Sequence, residues 1–199
     1  MIRRLPIIPT IIVAAAAALM IGLGMWQLQR AKWKEGLLAR YAQAEKLPRI
    51  IWPTTPLRDD RLPLFRHATG ACLRTLGQRV EAGENRGGEP GFVHVVDCAT
   101  GAEGPGMSVE LGWSKNPNAR VSWPGGLVSG IIGPDRKARM RLVADGSPAG
   151  LEPSAPPSIG AIPNNHRVYA VQWFFFAAAA LLIYGLAIRK RLTAEGPAQ

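Results

Sequence analysis

Cysteine and histidine are scarce in this chain: Cys72 and Cys98 are the only cysteines among 199 residues, and His67, His94 and His166 the only histidines. No Cys-x-x-Cys pair and no Cys-x-x-Cys-His run occurs, which excludes a thiol-oxidoreductase motif and a covalent haem-attachment site. The histidines are dispersed and no cysteine stands at ligand spacing from them, so no zinc site is readable. There is no internal repeat. A basic stripe interleaved with aromatics is also missing, although the formal net charge is +10 and the pI about 10.4. Residues 28–167 hold 19 Lys and Arg against 13 Asp and Glu, scattered singly. A solvated face near anionic lipid headgroups accounts for them, and nucleic acid is not expected as a partner.

The most informative absence is of charge in two long runs. Residues 7–26 carry none, which makes about 20 residues or 30 Å of helix, the thickness of a bilayer's hydrocarbon core. A first transmembrane helix over 7–27 follows, with Arg3 and Arg4 before it and Trp26, Gln27 and Arg30 as an interfacial anchor at its far end. The competing reading is a cleaved signal peptide using the small-residue tract at 14–18; the run is too long for a signal core and its far end lacks a small-residue site. The second uncharged run gives a transmembrane helix over 167–188, entered through Pro163, Asn164, Asn165 and His166 and closed by Arg189, Lys190 and Arg191, with a tail over 189–199. Asn165 reads as its N-cap. Two spans put both termini on one side of the membrane. The basic residues flanking the spans are balanced between the two sides, so both orientations remain open on charge alone.

Between the spans, residues 28–166 leave roughly 140 residues for a single domain. Trp33, Leu37 and Tyr41 form one apolar stripe, predicting a helix over 32–44. After a linker punctuated by Pro48, Pro53 and Pro56, short alternating segments read as strands. The clearest are 107–113, with Met107, Val109, Leu111 and Trp113 expected on one face, and 138–143, with Ala138, Met140 and Leu142 inward against Arg139 and Arg141. Segments 65–76, 92–98 and 127–132 are companions, separated by glycine-rich turns. Such spacing suggests an antiparallel sheet curled into a small barrel or sandwich. Residues 150–163, with four prolines, read as an extended return to the membrane. The expected fold is thus a membrane protein in which two helices flank one β-rich α+β domain.

Few residues offer chemistry. A hairpin centred near Asn85 would set Cys72 opposite Cys98, and both a disulfide and two separate buried thiols satisfy that arrangement. His67 and His94 read as ordinary strand residues. His166 sits at the first turn of the second span, where the positive helix end favours a neutral ring, the state a metal ligand needs. Tyr169 and Trp173 follow on the same face. An interfacial aromatic belt explains the same pattern. On the first span, Trp26 and Arg30 share a face, Gln27 lies beside them, and Gly22 and Gly24 would let the two helices approach. Gln172 adds an intramembrane polar group in need of a partner. An apolar cleft between the helices, with a neutral imidazole and rim arginines Arg30 and Arg167, would suit a flat apolar ligand bearing carboxylates, such as haem. A Ser-Lys peptidase has thin support, because Ser108 and Lys115 lack a positioned partner and Ser114 and Lys115 point apart on a strand.

Several blocks carry a resemblance. Gly24, Trp26, Gln27 and Arg30 after the first span are one. Gly91-Phe92-Val93-His94-Val95-Val96 and Leu111-Gly112-Trp113 lie in the domain. Pro153-Ser154-Ala155-Pro156-Pro157 is followed by Pro163-Asn164-Asn165-His166-Arg167-Val168-Tyr169-Ala170-Val171-Gln172-Trp173. Together they resemble the surfeit locus protein 1 family over nearly the whole chain. The resemblance implies a non-enzymatic assembly factor, or chaperone, for haem-copper cytochrome c oxidase in a bacterial inner membrane, with residues 28–166 on the periplasmic side. It further implies haem A as the cofactor, His166 as ligand to the haem iron, and Trp26, Arg30, Tyr169 and Trp173 as pocket or packing residues. Oxidase subunit I and haem A synthase become the expected protein partners, with membrane lipids around the spans, and a second copy of the chain is one source of a second axial ligand. A scaffold that stabilises oxidase intermediates without haem is the alternative. The family usually has Asn-Arg before its Gly-Trp where this chain has Glu110-Leu111, and Val-Pro where it has Ser114-Lys115, so no role of that arginine transfers.

Overall fold

The computed structural model describes residues 6–102 and 104–194. Arg3, Arg4 and the last five residues of the expected tail lie outside them. Two transmembrane helices flank one seven-stranded sheet domain: α1 spans Ile7–Ala44 and α2 spans His166–Ala194. The first span and the helix expected over 32–44 form one unbroken helix of 38 residues, about 57 Å long. No proline falls between Pro9 and Pro48 to interrupt it.

The helices pair in antiparallel fashion within one compact unit. Thr10 near the start of α1 meets the Tyr184 hydroxyl at 2.5 Å, and Gln27 meets His166. The seam is built from small residues at seven-residue intervals: Ala17, Gly24 and Ala31 are buried on α1, Ala170 and Ala177 on α2. This spacing keeps one stripe facing the partner, and small side chains let the backbones approach without a solvent-driven hydrophobic force. Gly24 shows how close they come, since a Cβ there would lie 2.6 Å from the Phe174 ring. Gly22 meets nothing within 4 Å, so of the two glycines only Gly24 is needed for the contact.

The domain forms the second unit, residues 38–162. Its strands are β1 (Ile50–Ile51), β2 (His67–Cys72), β3 (Arg74–Glu84), β4 (Pro90–Ala99), β5 (Met107–Ser114), β6 (Gly126–Asp135) and β7 (Arg139–Ala144). They form one sheet in the order β1-β2-β6-β7-β5-β4-β3. The sheet is mixed rather than wholly antiparallel, because β1 pairs β2 and β5 pairs β7 in parallel. The concave core joins Trp52, Ala68, Val96, Met107, Val109, Leu111, Ile132 and Leu142, all buried.

The segment expected as one strand over 65–76 bends at Leu73, and its second half begins β3. Cys72 therefore stays on β2, paired to Gly126, while Cys98 on β4 faces Thr75. The β3–β4 hairpin is centred on Gly87 rather than Asn85: Glu84 faces Pro90, and Asn85 Oδ1 accepts the amides of Gly87 and Glu89 at 2.9 Å each. The cysteines are not cross-strand neighbours, yet they are bonded, because the sheet rolls and Leu73 donates its amide to Ala99. The disulfide clips β2 to β4 across this corner.

On β5, all residues from Met107 to Trp113 are buried, so both faces are covered. Met107, Val109 and Leu111 face the core as expected, but Trp113 packs on the opposite face with Val93 and Val95. A bulge explains the switch: Val95 faces Glu110 and His94 faces Gly112, leaving Leu111 as the extra residue. The proline-rich return covers that second face. Trp113 and Glu152 exchange backbone hydrogen bonds of 2.7 and 3.1 Å, and the Ala155 amide donates to Glu84.

Candidate functional site

Built from the helices upward, the candidate site starts at the first residue of α2. Asn165 stands just before the helix and its carbonyl accepts the Tyr169 amide, placing it at the N-cap position. His166 is half-buried, and its Nδ1 lies 2.8 Å from Oε1 of Gln27 on α1. An amide oxygen only accepts, so Nδ1 donates, and in a neutral ring Nε2 is then the nitrogen with the lone pair. Among the described residues Nε2 has no hydrogen-bond partner. The next residue, Arg167, makes a forked pair with Glu35, Nε and Nη2 donating to the two carboxylate oxygens at 2.7 and 3.0 Å.

The aromatic residues singled out in the sequence lie about this point without stacking on one another. Trp26 and Tyr169 are 54% and 50% exposed, Trp173 is half-buried and meets Phe176 edge-on at 6.4 Å, and the Arg30 guanidinium lies 4.3 Å from the Trp33 ring centre. Arg30 and Arg167 are thus both engaged, one with an indole and one with a carboxylate. Gln172 faces outward from α2. The sequence placed Gln27 in the interfacial anchor and in the block that carries the resemblance, without a contact to His166, and passed over Glu35; the helical register that brings each to α2 depends on the pairing of the two spans.

The SURF1 family model matches residues 14–178, from the middle of the first span into the second. The chain belongs to the SURF1 family. No curated protein matches it closely enough to count as a relative. The SURF1 family comprises assembly factors of cytochrome c oxidase, which makes that process the setting for this chain's membrane helices and sheet domain.

Knowing the family, the departure at Glu110-Leu111 can be read physically. Leu111 is the bulge residue, fully buried in the core. Glu110 points to the other face, 4% exposed, and meets Arg141 Nε at 3.0 Å. Arg141 also reaches Glu81 at 2.8 Å, and Arg79 binds Glu81 at 2.7 Å, Asp97 at 2.6 Å and Asp135. Two arginines are thereby shared among four carboxylates in which Asp135 has a fully buried side chain. Burial pushes Glu110 above the ordinary carboxylate range, with Arg141 opposing. Burial also works to raise Glu81 and Asp135, but their hydrogen bonds win and hold both below it. Those of Glu81 come from Arg79 and Arg141, those of Asp135 from the amides of Ala138 and Lys137. Beside this network lies a cavity of about 250 Å³ lined by Phe65, Val93, Glu110, Arg141, Val143 and Ile162 among others.

The remaining candidates are committed to structure. Ser108 is buried and donates to Asp97 at 2.6 Å, whereas Lys115 is exposed and pairs with Glu89 at 2.8 Å, so no serine-lysine dyad forms from them. His94 Nε2 contacts Ser114 Oγ at 2.8 Å, while that hydroxyl donates to the Asn116 carbonyl. Burial lowers the His94 pKa.

Proposed function

We propose that this SURF1-family chain binds haem A at the His166 end of its helix pair and aids its insertion into oxidase subunit I. The carrying observation is the state of His166: a half-buried imidazole with Nδ1 engaged by Gln27 and Nε2 unbonded among the described residues. That donor suits haem iron, and the exposed rings of Trp26 and Tyr169 offer apolar, flat surfaces to a macrocycle. Bound there, haem iron would supply the coordination site that the imidazole nitrogen fills. Trp173 would contribute packing, and Arg30 a positive charge for a propionate. On this reading the chain is a carrier without turnover of its own. It sits in a bacterial inner membrane with the sheet domain periplasmic, receiving haem A from its synthase and passing it to subunit I. A second axial ligand would come from a partner or from another copy of the chain.

A haem-free scaffold is the second reading, favoured by two outward apolar side chains on the β1-β2-β6 end of the sheet, Ile51 and Leu127, which are 82% and 81% exposed. The optical spectrum and extracted pigment of the detergent-purified protein, co-expressed with haem A biosynthesis, separate the two. Haem A in the wild type and its loss in a folded His166→Ala variant are expected. A folded wild type without pigment leaves the scaffold, and unchanged pigment in the variant removes His166 as ligand.

A further inference from the structure

We infer that Gln27 is a positioning residue: by accepting a hydrogen bond from Nδ1 of His166 across the helix pair, it fixes the imidazole tautomer and orientation and tunes the ligand strength of Nε2. The inference rests on the reading that His166 ligates haem iron, and it assigns a role to a residue 139 positions away in the chain.

A neutral imidazole carries one proton on either nitrogen, and the hydrogen bond made by one nitrogen decides the state of the other. Here the partner atom is a carbonyl-type oxygen. It places the proton on Nδ1, which leaves Nε2 as the only nitrogen able to bind a metal. Were the Gln27 amide turned to present its NH2 group, Nδ1 would accept, Nε2 would bear the proton, and the ligand would be closed off. The amide orientation is therefore the element that makes this histidine a ligand rather than a donor.

The same bond acts on the strength of the ligand. A hydrogen bond to the distal ring nitrogen pulls its proton partly away, raising the basicity of the metal-facing nitrogen and holding the ring plane. A neutral amide gives a moderate effect. A carboxylate in its place would give a stronger one, and an aliphatic side chain none. A moderate setting suits a protein that must hold its cargo and also release it.

The contact is built into the fold at several levels. Gln27 lies three residues beyond Gly24, whose missing Cβ admits Phe174, and four before Ala31, which is 1% exposed in the same seam. Beyond them Arg167 clamps Glu35. These contacts hold the helix pair without Gln27, so Gln27→Leu, similar in size and without polar atoms, removes the hydrogen bond while the pair persists.

The test uses the full-length protein in detergent micelles with three forms, wild type, Gln27→Leu and Gln27→Glu. The first readout needs no haem: nitrogen NMR of 15N-histidine-labelled protein reports the His166 tautomer. We expect Nδ1–H in the wild type and in Gln27→Glu, and a mixture in Gln27→Leu. The second readout uses haem A as the probe. Its dissociation rate should rise about ten- to a hundredfold in Gln27→Leu, the usual cost of losing such a partner. The reduction potential should move in opposite directions in the two variants, downward for Gln27→Glu because a more basic ligand favours the oxidised iron, and upward for Gln27→Leu. A purely packing role would not produce opposite signs. An unchanged tautomer in Gln27→Leu, or the same potential in all three forms, overturns the inference. Retention of haem A by His166→Ala overturns the underlying reading instead, and the NMR result then still decides whether Gln27 sets the tautomer.

Discussion

Glu110 and Arg141 meet at 3.0 Å on the covered face of the sheet, a carboxylate that burial disfavours held against a guanidinium that two other acids, Glu81 and Asp135, also approach. Glu110 has a raised pKa, so between its unfolded value, about 4.3, and its folded one the native protein binds more protons than the unfolded chain. Stability is therefore expected to fall as pH rises through that window and to level off above it. Glu81 and Asp135 have lowered values and act oppositely, contributing stability above the ordinary carboxylate range that is lost as pH falls through their depressed ones. Urea unfolding followed by tryptophan fluorescence should give a maximum in mild acid. Glu110→Gln should abolish the decline on the alkaline side and keep the acid limb; an unchanged alkaline decline would show that another group causes it.

Arg141→Ala should behave differently from Glu110→Gln, because it leaves Glu110 buried without its cation. A loss of about 3 kcal/mol is expected near neutral pH. The double variant Arg141→Ala with Glu110→Gln should recover part of that loss. Failure to recover any of it would mean that Glu81 and Asp135, not Glu110, are the acids that depend on Arg141.

How far the sequence could be read is clearest on β5 and β7. The alternation of Met107, Val109 and Leu111 names their core face correctly, because period two is a local property of the strand. It fails at Trp113, since a bulge is a two-strand event that one strand's pattern does not carry. Arg139 and Arg141 likewise alternate with the core and look solvated; only the return segment, distant in sequence from β3 and β4, turns the face of Arg141 into an enclosed one. Both cysteines were readable as a candidate pair, but the corner at Leu73 that brings them together depends on β2 leaving the β4 ladder for β6. At the helices, His166 stood out through its place at the first turn of the second span and through its family block, whereas the contacts of Gln27 and Glu35 to α2 depend on the antiparallel register.

The Cys72–Cys98 bridge closes a loop with a sequence separation of 26 residues. On the chain-entropy account, removing it costs about 3.5 kcal/mol. Cys72→Ser with Cys98→Ser should lower the denaturation midpoint and steepen the slope, because the unfolded chain without its crosslink exposes more surface, and alkylation of the unreduced wild type should label no thiol. Labelling of both cysteines in the folded, unreduced protein would contradict the bridge.

Gly24→Val should disrupt the helix pair, because the added Cβ would lie 2.6 Å from the Phe174 ring at a seam with no spare volume. Overpacking of this kind costs about 1–3 kcal/mol. Phe174→Ala in the same chain should restore pairing, read out by a short bifunctional maleimide crosslink between cysteines placed at Thr10 and Tyr184, whose side chains meet in the wild type. Gly22→Val, at a position open to its surroundings, is the matched control and should crosslink as the wild type does.

Gly112 tests whether the return segment is an integral cover of the sheet. Its φ is +154°, and a Cβ there would lie 2.7 Å from the Glu152 carbonyl and 2.8 Å from Leu151 Cβ. That carbonyl is the acceptor for the Trp113 amide, so a side chain at 112 and the Trp113–Glu152 pairing compete for one space. Gly112→Val should therefore lift the segment beginning at Leu151 off β5, exposing Trp113 and Glu110 to water. The expected signs are a red-shifted tryptophan emission, new protease cuts within residues 150–162, and a Glu110 pKa returning toward the ordinary carboxylate value as its burial is relieved. Since Leu111 and the concave core lie on the other face of β5, the sheet itself should persist in far-UV circular dichroism. Protease resistance equal to wild type would show that the return is held by its contacts to β3, through Ala155 and Glu84, without help from the glycine beside the bulge.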